Sequence, residues 1–136
     1  MVKEPIIIVG GEPNSVFLEI LFKSIKSLNY KSPLIIIVSK KLLEQQMMKL
    51  GFSFRINTIN KNFNQFSKLN NKKINLINVN YKFKNCFEEI SDKSNKYIEE
   101  SFAIALEIMQ KNNFSKFING PISKKNFLNG KTLGIT

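Results

Sequence analysis

The chain has 136 residues, 43% hydrophobic and 23% charged, a balance that suits one folded domain with a proper core and excludes a chain too polar to build one. No apolar run approaches the ~20 residues of a membrane helix, and Ile6 to Val9 is too short for a secretory core, so no membrane partner is expected and the expected compartment is the cytoplasm. The formal charge of +11 rests on lysines in every case but Arg55, spread along the chain among asparagines and isoleucines; this reads as solvated positions rather than a nucleic-acid surface, which favours clustered arginine.

In chain order, Pro5 to Val9 is a β-branched run of the kind that forms a strand buried on both faces. It ends in Gly10-Gly11-Glu12-Pro13 and passes directly into a helix, with Asn14 or Ser15 as its cap and Phe17, Ile20, Leu21, Ile25 and Leu28 as its apolar stripe. Asn29 to Ser32 closes that helix. Pro33 to Val38 is a second buried strand, and Ser39 caps a helix that runs to Leu50 and stops at Gly51. Phe52 to Ile59 reads as a peripheral strand, Asn60 to Lys73 as a polar loop, and Ile74 to Val79 as a further strand. Asn80 to Lys93 has no clear period and reads as an exposed connection. Ser94 to Lys111 has the clearest helical pattern, with Ile98, Phe102, Ala105, Leu106 and Met109 as a core stripe. Phe114 to Asn119 is a last short strand that turns out at Gly120-Pro121.

Alternating strands and helices predict an α/β fold with a parallel-rich sheet and helices on both faces, in one domain with no internal repeat or linker. Ligands of such sheets bind in the crevice beyond the strand C-terminal ends. Two candidate ligand loops fall there: Gly10 to Ser15, containing Gly11, Glu12 and Pro13, and Asn119 to Lys125, containing Gly120, Pro121, Ser123 and Lys124. Glycine permits close approach of the backbone to a ligand, while a hydroxyl and a cation suit a phosphate. Glu19 sits four residues before Lys23 and reads as half of a surface ion pair.

Other chemistry finds no support. No GxGxxG or P-loop pattern is present, and the sequence has no histidine and a single cysteine, Cys86, which reads as a passive thiol. No metal ligand is assigned within this chain.

Gly11-Glu12-Pro13, followed by Glu19-Ile20, resembles the GDPAGIGPE or GEPAGIGPD signature that opens 4-hydroxythreonine-4-phosphate dehydrogenases of vitamin B6 biosynthesis. Asn119-Gly120-Pro121-Ile122-Ser123-Lys124 resembles that family's TGPxxK loop, and Gly134-Ile135-Thr136 falls where its members carry GHTE. The resemblance implies an isocitrate/isopropylmalate-dehydrogenase-like α/β/α fold, incomplete here at the C-terminus, with this chain as the amino-terminal part of a longer two-domain enzyme. It also implies a homodimer, NAD as cofactor, a divalent metal (zinc, magnesium or cobalt) and a phosphorylated amino-acid substrate, 4-phosphooxy-L-threonine. The metal-ligand histidines and most NAD contacts would lie beyond Thr136. Carried over by position, Lys124 and Thr136 are substrate-binding residues, and Ile135 stands where the substrate-binding histidine would be. An aliphatic side chain there neither donates nor accepts a hydrogen bond. Asn14 to Leu18 replaces AGIGP in the first loop, with the loss of two glycines. The expectation is therefore a dehydrogenase portion that is inactive alone. The alternatives are a non-catalytic phosphate-ester-binding domain or decayed relative, and a basic nucleic-acid-binding module.

Overall fold

The computed structural model describes residues 3–27 and 29–123. Five strands, β1 (Ile6–Val9), β2 (Leu34–Val38), β3 (Ile56–Ile59), β4 (Ile74–Asn78) and β5 (Phe117–Asn119), form one sheet in the order β3-β4-β2-β1-β5. Every pairing is parallel. Three helices, α1 (Phe17–Ser27), α2 (Lys40–Lys49) and α3 (Asn95–Asn112), complete the α/β fold.

The continuous apolar runs of β1 and β2 are explained by a core on each side of the sheet. Ile8, Ile36 and Leu76 face one core with Leu18, Leu21 and Phe22 of α1 and Leu42 and Leu43 of α2. Ile7, Val9, Ile35, Ile37 and Ile77 face the other with Tyr97, Ile98, Ala105 and Ile108 of α3. Alternation along each strand sends successive side chains to opposite faces, so a strand covered on both sides has no polar register.

Local signals set the helix ends. The Ser39 hydroxyl accepts a hydrogen bond from the Leu42 amide at 3.2 Å, as a helix cap does. At the other end of α2, Gly51 has φ +79, its amide donates to the Met48 carbonyl at 3.3 Å and the Phe52 amide donates to Met47 at 2.9 Å. This is the paired closure of a left-handed helix stop.

Three expectations are corrected. Strand β3 is shorter than Phe52 to Ile59, because Phe52 and Phe54 turn into the core and place their rings 5.4 and 6.1 Å from that of Phe22. The connection from Asn80 to Lys93 is not simply exposed: Cys86 is buried, and the Tyr81 ring lies 4.9 Å from that of Tyr97. The helical stripes are shifted, since Ile20 and Leu106 are exposed while Phe22 and Ile108 are fully buried. Leu28 lies outside the described residues. Among the described residues no helix is long and apolar enough to cross a membrane.

Candidate functional site

Strand order reverses across β1, with β2 on one side and β5 on the other, so the loops that follow β1 and β5 are neighbours at the C-terminal end of the sheet. The two candidate loops predicted from sequence are therefore brought together. Their contact is made by backbone. The Glu12 amide donates to the Pro121 carbonyl at 2.8 Å, and the Gly120 amide donates to the Val9 carbonyl at 2.8 Å.

The glycines are explained by this contact. Gly11 has φ +72, and a side chain there would lie 2.6 Å from the Pro121 oxygen. A Cβ on Gly120 would lie 2.0 Å from the Gly10 oxygen and 2.9 Å from the Phe17 ring. The close approach that these residues permit is thus of one loop to the other.

Glu12 is buried, at 3% exposure. One carboxylate oxygen accepts from the Asn14 amide at 3.2 Å, and the other accepts from the Ser94 hydroxyl at 3.0 Å. A buried carboxylate needs such donors. Ser94 immediately precedes α3, so Glu12 joins the first loop to the positive end of that helix. Of the two expected caps of α1, Ser15 acts, its hydroxyl accepting from the Phe17 amide at 3.2 Å. Asn14 instead accepts from the Glu88 amide at 3.0 Å. Glu19 pairs with Lys23 at 2.8 Å on the surface, as its spacing predicts.

The first loop is further anchored by Gln46, a residue that the sequence reading did not single out. Its side-chain nitrogen donates to the carbonyls of Pro13 at 3.0 Å and Cys86 at 2.8 Å. Gln46 lies one turn after Leu42 and Leu43 on the buried side of α2, and a polar residue on an apolar stripe was the available signal.

Beside the loops, the ends of β2 and β4 open into a cleft of about 570 Å³ lined by Ser39, Lys40, Lys41, Asn78, Tyr81 and Lys82. A second cleft of about 400 Å³ adjoins it across Tyr81 and includes Lys93 and Lys96. Lys40, Lys41, Lys82, Lys93 and Lys96 outnumber Glu44 and Glu100 in the two clefts, a balance that favours anions. Tyr97 lines the second cleft: its hydroxyl oxygen accepts from the Ser39 amide at 2.9 Å, and burial pushes its ionisation well above the usual phenol range. It is therefore a neutral structural hydroxyl.

Gly11, Glu12, Pro13, Gly120 and Pro121 all belong to the joined loops. Lys124, Ile135 and Thr136 lie outside the described residues. Among the described residues no three histidine, cysteine or carboxylate side chains come together to hold a metal, and Cys86 is buried.

The family model of the pyridoxal phosphate biosynthetic protein PdxA matches residues 29–133. No curated protein matches the sequence. Among solved structures, the fold is similar to a 4-hydroxythreonine-4-phosphate dehydrogenase from Burkholderia phymatum at TM-score 0.72 and 18% identity, over 90% of this chain and 37% of that one. It is similar to the enzyme of the same description from Klebsiella pneumoniae at TM-score 0.68 and 14% identity, over 98% of this chain and 42% of that one. A structure from Salmonella typhimurium superposes at TM-score 0.78 and 16% identity, with 98% and 42% covered. The chain thus spans 37% to 42% of the length of these structures.

Proposed function

The chain belongs to the family of the pyridoxal phosphate biosynthetic protein PdxA, and from that premise we propose that it is the amino-terminal part of a two-domain 4-hydroxythreonine-4-phosphate dehydrogenase. The complete protein oxidises 4-phosphooxy-L-threonine with NAD at a divalent metal, and the β-keto acid loses carbon dioxide to give 3-amino-2-oxopropyl phosphate. The observation that carries this reading is the match over residues 29–133, supported by the two loops expected from the family's motifs meeting at one end of a parallel sheet.

This chain's contribution is to substrate binding. The joined loops form a rigid rim, and Lys124 with Thr136 supplies a cation and a hydroxyl to the phosphorylated substrate. Ile135 replaces a hydrogen-bonding residue with an aliphatic surface, so neighbouring donors carry more of the binding. Among the described residues no group of side chains comes together that could hold a metal, and the sequence has no histidine. The metal ligands and most contacts to NAD come from the remainder of the enzyme, and no step of the reaction is assigned to a metal held here. The complete enzyme is a homodimer in the cytoplasm with its site between domains and subunits. The 136-residue chain alone is inactive.

The test is stoichiometric. The complete protein, supplied with 4-phosphooxy-L-threonine, NAD and a divalent metal, should release equal amounts of NADH and carbon dioxide, and chelation should stop both. Binding of the phosphate ester without NADH would support the second reading, a phosphate-ester-binding relative, which the exchange of histidine for Ile135 favours.

A further inference from the structure

Gln46 is fully buried, yet its side chain is polar and its oxygen has no hydrogen-bond partner among the described residues. The orientation of the amide is fixed by its surroundings, because both bonds it makes are donations to carbonyl oxygens, those of Pro13 and Cys86. Only the nitrogen end of the amide can serve there, which leaves the oxygen turned toward no donor. A methionine of similar volume would remove that unpaired oxygen but would leave the Pro13 and Cys86 carbonyls without their donor. The retained amide therefore does something an apolar side chain cannot: it holds two backbone segments at a fixed separation.

Those segments are the first ligand loop and the connection that backs it. Gln46 joins Pro13 to Cys86, Asn14 joins the same loop to the Glu88 amide, and Glu12 joins it to Ser94. Of the last two bonds, one approaches the loop from the connection and the other from the start of α3. Gln46 holds it from α2, and the Glu12 amide holds it to Pro121. Resting on the proposed dehydrogenase reading, we infer that Gln46 is a positioning residue: through the Pro13 carbonyl it sets where residues 12 to 15 meet the phosphorylated substrate.

The first experiment replaces it in the complete enzyme by Gln46→Met, which keeps the volume and removes both donors. Displacement of a loop that touches substrate raises the KM for 4-phosphooxy-L-threonine by roughly tenfold, with kcat held within about twofold. A purely structural role predicts the reverse, a lowered melting temperature and active fraction with KM unchanged, and that result overturns the inference. Should the variant not fold, the unaltered protein decides through the Gln46 side-chain amide protons in a nuclear magnetic resonance titration with O-phospho-L-threonine. Their resonances shift as the loop engages the phosphate ester, and resonances that stay fixed while the ester binds overturn the inference. If the unaltered enzyme shows no turnover, the dehydrogenase reading fails by itself, and the same titration still decides the role of Gln46.

Discussion

The Glu12 amide and the Pro121 carbonyl are hydrogen-bonded at 2.8 Å, so the loops that leave β1 and β5 are one structural unit. Residues more than a hundred positions apart in sequence thus form a single rim at the end of the sheet. Its rigidity depends on Gly11 and Gly120, where a side chain would run into the facing loop.

Substitution at these two glycines, compared with Gly51 at the end of α2, should follow a definite order. Gly120→Ala places a methyl 2.0 Å from the Gly10 oxygen and should cost more than about 3 kcal/mol. Gly11→Ala combines φ +72 with a 2.6 Å contact to the Pro121 oxygen and should come next. Gly51→Ala has the same backbone problem with open space around it, so only the left-handed penalty of about 1–2 kcal/mol remains. Urea unfolding of the complete protein measures all three, and equal losses at 120 and 51 would rule out steric contact between the loops.

Glu12→Ala should destabilise by about 1–3 kcal/mol, because it leaves the Asn14 amide and the Ser94 hydroxyl without their acceptor. Combined with Ser94→Ala, the two losses should be less than additive by about 0.5 kcal/mol or more. Simple additivity in that double-mutant cycle would show that the two side chains do not interact in solution.

Acid should loosen the connection that backs the first loop. The Glu88 carboxylate accepts from the amides of Asn85 and Lys84, which hold its ionisation below the usual carboxylate value, with Lys93 adding to the effect. A group with a depressed folded pKa contributes stability above its unfolded value, and that contribution fades as pH falls through the folded one. Amide exchange at Lys84 and Asn85 should therefore accelerate only below the ordinary carboxylate range. Glu88→Gln should remove the pH step, and a Glu88 titration at or above the ordinary value would contradict this assignment.

The sequence was most readable where one physical signal acts alone. The unbroken apolar runs of β1 and β2 require cover on both faces, and Ser39 and Gly51 mark the ends of α2 by chemistry local to each residue. Helix faces were less readable, because α1 and α3 carry apolar residues on adjacent rows. Spacing alone did not choose Ile108 over Leu106 or Phe22 over Ile20; packing against the sheet did. The two candidate loops were legible as glycine-bearing turns after strands, whereas the partners of Glu12 and Gln46 were not. Ser94 lies 82 residues from Glu12, and Cys86 lies 40 residues from Gln46, so only the folded chain reveals those pairs.

The central claim is that this chain supplies the loop rim of a dehydrogenase whose metal and cofactor are held by the rest of the enzyme. Its most direct test is NADH formation from 4-phosphooxy-L-threonine and NAD with added divalent metal, measured side by side for the complete protein and the 136-residue chain. Metal-dependent turnover by the complete protein and none by the chain is the predicted result. Turnover by the chain alone, or none by the complete protein under any metal, would contradict it.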